Sequence, residues 1–254
     1  MNVNIVAVSG GKDSTAMALR LMEVEPDTPK RFICTPTGDE LPAMVKHYAK
    51  VEKLIGCEIE RLPAPTLDEL IEEWGAVPNY RMRWCTRAIK IDPCVEYFRG
   101  LDEPAVLCVG LRADEDERQG LYDEEIPARF PLREWGWGLD EVLGYLESKE
   151  VTIPPRTDCA RCFWQRIGEW YRLWQEHPWI FEDAVQQEER YEHSFRTPGK
   201  DSWPVRLKEM REAFQMGRVP VEAKKKKAAK SQGSLWGMDR LGVEEYHGCR
   251  VCSL

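Results

Sequence analysis

Val3-Asn4-Ile5-Val6-Ala7-Val8 runs into Ser9-Gly10-Gly11-Lys12-Asp13-Ser14, and this junction decides the fold. The first six residues are mostly apolar and partly β-branched, as in a strand buried on both faces of a parallel sheet. The glycine pair permits a tight turn and lets a ligand approach bare backbone. Beyond Asp13, residues Ala16, Ala18, Leu19 and Met22 fall near helical spacing. Strand, glycine turn and helix start aim backbone N–H groups and the helix dipole at one point, which suits a phosphate. Lys12 adds a charge there, and Ser9 and Ser14 add hydroxyls. A Walker A loop is excluded, since it needs Gly where Val6 stands and Ser or Thr where Asp13 stands. An ordinary strand-to-helix turn is the competing reading.

The chain around this junction has 254 residues, enough for one large α/β domain or a domain with a small appendage. Its 43% hydrophobic content supports a core, and its net charge of −8 advertises no general affinity for nucleic acid. No apolar run approaches a membrane span, and Met1-Asn2 leads straight into a strand. A cytoplasmic protein with no membrane partner is expected. Nine cysteines are then an excess, and in a reducing compartment they point to metal or redox chemistry before disulfides.

Strands are predicted over Arg31–Thr35, Glu58–Leu62 and Ala105–Gly110, and an amphipathic helix over Leu41–Ile55. Thr66 with Glu69 makes a capping-box pattern that starts another helix. This alternation predicts a mainly parallel, doubly wound α/β sheet over residues 1–130. Ligands of such sheets sit beyond the carboxyl ends of strands, so the turn Thr37-Gly38-Asp39-Glu40 should lie near the first loop. Residues 131–215 read as a helical, Cys- and Trp-rich part, with helices over Leu139–Leu146, Gly168–Trp174 and Ile180–Tyr191. Its dense tryptophans suit a core between helices, with base stacking as the alternative. Residues 216–254 carry Lys224-Lys225-Lys226-Lys227 in a polar linker and end in a cysteine tail.

Tyr80 to Lys90 packs Arg81, Arg83, Arg87 and Lys90 into one short stretch, which suits a polyanion. Arg112 follows the Ala105–Gly110 strand, placed to fork onto a phosphate or sulfate, with Arg118 nearby in sequence. Cys159-Ala160-Arg161-Cys162 and Cys249-Arg250-Val251-Cys252 are two C-x-x-C pairs, a strong metal signal. Four thiolates could hold structural zinc, or cysteines could hold an iron–sulfur cluster. Cys34, Cys57, Cys94 and Cys108 sit among apolar neighbours and read as small core residues.

The loop Ser9-Gly10-Gly11-Lys12-Asp13-Ser14 resembles the PP-loop, S-G-G-x-D-S, of ATP pyrophosphatases. Arg83-Trp84-Cys85-Thr86 through Lys90 and Pro93, with Gly110–Arg112 and Cys159–Trp174, is similar to phosphoadenosine phosphosulfate (PAPS) reductases of the same adenine nucleotide alpha hydrolase-like superfamily. The resemblance implies a nucleotide site of Ser9, Gly10, Gly11, Lys12, Asp13, Ser14, Thr37, Gly38, Asp39, Gly110 and Arg112, binding ATP with Mg2+. It implies catalytic roles for Lys12, Asp13, Arg112, Cys249 and Cys252, and substrate-anion contacts from Arg83, Arg87, Lys90 and Arg118. It favours a 4Fe-4S cluster on Cys85, Cys159 and Cys162, the fourth ligand being Cys249, Cys252 or an open position, with zinc as the alternative metal. Trp84 stands where that family has a further cysteine, and Glu245-Tyr246-His247-Gly248-Cys249 scrambles its E-C-G-x-H context.

The expected activity is AMP-forming ATP cleavage that activates a substrate for sulfur transfer to nucleic acid or a metabolite. The expected partners are a sulfur donor such as a cysteine desulfurase and a nucleic-acid substrate, with an oligomer left open. The alternatives are a sulfonucleotide reductase and a non-catalytic adenine-nucleotide-binding subunit.

Overall fold

Residues 2–115, 126–198 and 201–221 are described by the computed structural model. They divide into two compact units. The first comprises 2–67, 85–115 and 126–159; the second comprises 68–84, 160–198 and 201–221.

The first unit is built on five strands, β1 Val3–Ala7, β2 Lys30–Cys34, β3 Ile59–Arg61, β4 Ala105–Cys108 and β5 Ala128–Arg129. They form one all-parallel sheet in the order β3-β2-β1-β4-β5. Ile5 lies between Arg31 of β2 and Leu107 of β4. All five residues of β1 are buried, as befits a central strand covered on both sides. Side chains alternate between faces. Val6, Phe32, Cys34 and Cys108 point one way, onto α1 Lys12–Val24, α2 Pro42–Ile55 and α7 Leu139–Ser148. Ile5, Ala7, Ile33 and Leu107 point the other way, onto Cys94 and Val95 of α5 Asp92–Arg99. The sheet is therefore doubly wound. The order reverses at β1, so the loops after β1 and β4 face each other across a switch point.

The basic stretch is more helical than its charges suggest. α4 Trp84–Thr86 passes through a π-helical turn, Arg87–Ile91, into α5. α6 Pro131–Glu134 completes the helices of this unit. Cys34, Cys94 and Cys108 are buried, and burial pushes each thiol up to about 12, so they stay protonated and unreactive. Cys57 departs from the expected core role. It is exposed, because it follows Gly56, the left-handed cap that ends α2.

The second unit is helical among its described residues. It carries most of α3 Leu67–Trp74, then α8 Ile167–Glu176, α9 Pro178–Arg190 and α10 Leu207–Gln215. Trp170 is fully buried, 6.2 Å from Phe181 and 5.9 Å from Phe195 between ring centroids. Phe214 joins Trp174, Trp203 and Tyr171 in the same aromatic packing. Arg161 is 4% exposed and bridges Asp68 at 2.8 Å and Asp183 at 2.6 Å. The lysine-rich stretch and the cysteine tail lie outside the described residues.

Candidate nucleotide site at the switch point

Gly10 adopts φ +73°, a left-handed conformation that costs a side chain but not glycine. A methyl group on it would also stand 2.5 Å from Met44 Cε of α2. The loop then enters α1, whose first backbone bond runs from Thr15 N–H to the Gly11 carbonyl at 3.0 Å. The N–H groups of the first turn have no partner within the helix. The Ser9 and Ser14 hydroxyls lie 3.1 Å apart across the turn. Thr157 Oγ1 and Ser9 Oγ each lie 3.6 Å from where a Gly11 methyl would stand, so Thr157 belongs to the rim of the loop.

The loop after β4 closes on this turn backbone to backbone. A methyl on Gly110 would meet Ser14 N at 2.9 Å and Asp13 C at 3.1 Å. That approach brings Arg112 to Asp13, with Nη1 3.2 Å from both carboxylate oxygens. Lys12 Nζ reaches Asp13 Oδ2 at 2.9 Å. Arg112 also donates from Nε to Asp114 at 2.8 Å. Burial pulls the Arg112 pKa down, but Asp13, Glu115 and Asp114 outweigh it and the net shift is upward. The guanidinium stays charged, at 12% side-chain exposure. Lys12 and Asp13 are each 20% exposed, so an anion can reach this cluster. Two cations against a few carboxylates beside helix amides have the chemistry to take a phosphate in place of a carboxylate.

The second turn is closed on itself. The Thr37 N–H and hydroxyl donate to Glu40 Oε1 at 2.6 and 2.7 Å, and Asp39 N–H donates to Thr37 Oγ1 at 3.2 Å. Gly38 has φ +74°, and a methyl there would stand 2.8 Å from Thr66 Cγ2. Tyr48 of α2 ties these parts together. Its hydroxyl donates to the Ser9 carbonyl at 3.1 Å. Burial raises its pKa, Cys34, Glu40 and Cys159 add to the rise, and Lys90 opposes it. Glu40, Lys90 and Cys159 are thus within electrostatic reach of the residue that holds the loop. Arg156, also buried, donates to the Cys159 carbonyl at 3.1 Å.

The remaining candidates are placed as follows. Arg87 is 78% exposed and pairs with Asp92 at 3.2 Å. Arg83 belongs to the second unit, its guanidinium 5.4 Å above the Trp164 ring. Cys85 and Cys159 belong to the first unit and Cys162 to the second. Arg118, Cys249 and Cys252 lie outside the described residues. Among the described residues no three His, Cys, Asp or Glu side chains gather as a metal ion would require. Tyr48 and Thr157 were missed in the sequence, because Tyr48 lies inside the amphipathic helix expected over Leu41–Ile55 and neither residue falls in a motif.

Residues 3–170 match the family model of the phosphoadenosine phosphosulfate reductase domain. The chain belongs to this family. The match takes in the PP-loop, the switch-point arginine, the basic helix and the Cys159–Cys162 pair of this PAPS reductase-family protein. No curated protein matches the chain. Among solved structures, it is similar to a PAPS reductase from Candida auris in a phosphate complex, at 14% identity and TM-score 0.46, covering 60% of this chain and 75% of that one. It is also similar to the U34-tRNA thiolase NcsA from Methanococcus maripaludis with its 4Fe-4S cluster, at 19% identity and TM-score 0.42, covering 76% and 73%. No helix among the described residues of this family member is long and apolar enough to cross a membrane.

Proposed function

We propose that the chain is an AMP-forming ATP pyrophosphatase that activates an oxygen of its substrate for replacement by sulfur. The observation that carries this reading is the intact Ser9–Ser14 loop at the switch point, with Lys12 and Arg112 converging on Asp13. A triphosphate binds with its charge on the loop amides, Lys12 and Arg112. A substrate oxygen attacks the α-phosphorus, forming an O–P bond, and the bond to the bridging oxygen breaks to release pyrophosphate. Lys12, Arg112 and the amides stabilise charge that builds on the phosphoryl oxygens. A hydrosulfide donor then displaces AMP from carbon. The substrate oxygen leaves on AMP, sulfur takes its place, and the one proton of the hydrosulfide is released, with no net oxidation.

The matched family itself favours a second reading, reduction of a sulfonucleotide by a cysteine thiolate. The scrambled tail Glu245–Cys249 speaks against it. Labelled ATP and chromatography separate the two. AMP and pyrophosphate as products support the proposal, and ADP and phosphate would refute it. Sulfite released from a sulfonucleotide plus thiol, with no ATP present, would establish the reductase instead. A protein that binds nucleotide but makes no product from either would be a binding subunit.

A further inference from the structure

α2 turns one face to the PP-loop, made of Met44, His47 and Tyr48, residues at i, i+3 and i+4. Met44 Cε fills the space beside Gly10 that a side chain would need, and the Tyr48 ring lies 3.5 Å from the same point. The Tyr48 hydroxyl donates to the Ser9 carbonyl at 3.1 Å. His47, between them on the helix, is 2% exposed.

Tyr48 thus takes the first carbonyl of the loop. A trans peptide is planar, with its C=O and N–H pointing in opposite directions. The Ser9 carbonyl shares its peptide with the Gly10 N–H. Pulling that carbonyl toward α2 drives the Gly10 N–H away from it, in the sense that serves an anion-binding nest.

We infer that Tyr48 is a positioning residue that aims the Gly10 amide at the substrate's phosphates. This rests on the nucleotide reading of the loop. Tyr48 acts through the Ser9 carbonyl, so it should affect phosphate binding and leave the adenosine end alone.

The test uses the full chain with glycine labelled by nitrogen-15, inorganic pyrophosphate and adenosine as separate probes, and calorimetry. In the wild type, pyrophosphate should move the Gly10 amide resonance downfield. Tyr48→Phe removes only the hydroxyl, and should weaken pyrophosphate about fivefold, the worth of one ordinary hydrogen bond, while adenosine affinity holds. Unchanged pyrophosphate affinity in Tyr48→Phe, or equal losses for pyrophosphate and adenosine, would overturn the inference alone. A wild-type Gly10 amide that pyrophosphate does not move, despite binding, would also overturn it. A wild type that binds no pyrophosphate would overturn the proposed function, and the inference with it.

Discussion

The two units use buried charge differently. In the first, Lys12, Asp13 and Arg112 meet where two strands end, at 12–20% side-chain exposure, beside backbone amides that have no place in a helix ladder. An anion can enter and compete for the same cations. In the second, Glu188 is 2% exposed and accepts from two backbone donors, Phe195 N–H at 3.0 Å and Leu207 N–H at 2.7 Å. Its oxygens are spent on chain crossings. Arg196 likewise donates to the Pro204 carbonyl, besides pairing with Asp201 at 2.8 Å. A charged residue is a functional candidate where its partners are exchangeable, and a structural one where they are neighbouring main chain.

If that contrast is right, mutations in the two units should fail in different ways. The largest loss should come from Trp170→Ala, which empties the space between Phe181 and Phe195. It should lower stability by about 3–5 kcal/mol in denaturant unfolding. Trp170→Phe should cost much less, because the indole Nε1 is buried without a partner among the described residues and its loss sacrifices no bond. Equal losses would break the packing account. Next is Lys12→Ala, which should leave unfolding unchanged but cut ATP turnover about 100-fold or more. Asp13→Ala should likewise abolish nucleotide binding in calorimetry while the fold persists. Unchanged ATP affinity in both would refute the site.

Much of this contrast could be read in the sequence, because strong periodicity marks its elements. β1, β2 and β4 fall within a residue or two of expectation, and the expected helix Leu41–Ile55 is α2. β5 was missed, since two residues, Ala128 and Arg129, carry no period. The π-turn and α5 were missed because the charges of Arg81–Lys90 hid the buried Ile89 and the helical spacing that continues to Val95. Within the site, Gly10, Lys12 and Arg112 are legible because their chemistry lies in their side chains or their lack of one. Tyr48 and Thr157 are not, because only the fold brings them to the loop.

A pH series sharpens the structural half of the comparison. Burial lifts the Glu188 carboxyl to about 7, against the opposing pull of the Leu207 and Phe195 amides and of Arg206 and Arg196. The folded-state pKa is thus above the unfolded value of 4.5. The folded state binds the proton more tightly, so this stabilisation is complete below pH 4.5 and is lost as pH rises through 7. Relative to Glu188→Gln, which cannot titrate, wild-type unfolding free energy should fall by about 2–3 kcal/mol between pH 5 and pH 8. Parallel pH profiles for the two proteins would show that Glu188 is ionised throughout.

The smallest effect separates the halves within one unit, through two glycines. Gly144 lies inside α7 with nothing within 4 Å of an added methyl. Gly144→Ala should stabilise the protein by about 0.5–1 kcal/mol, since alanine restricts the unfolded chain and favours helix. Gly110 faces backbone, with Ser14 N at 2.9 Å and Asp13 C at 3.1 Å from the same methyl. Those atoms belong to the first turn of α1 and cannot rotate away as a side-chain tip could. Gly110→Ala should therefore cost about 1–3 kcal/mol, the usual penalty of overpacking. The relief available is a shift of the β4 loop, which carries Arg112, away from Asp13. Pyrophosphate affinity should fall with stability in Gly110→Ala and hold in Gly144→Ala. Thermal unfolding with calorimetry on both variants reads the two effects together. A Gly110→Ala protein as stable as Gly144→Ala, with full pyrophosphate affinity, would mean that the two loops do not meet at the switch point.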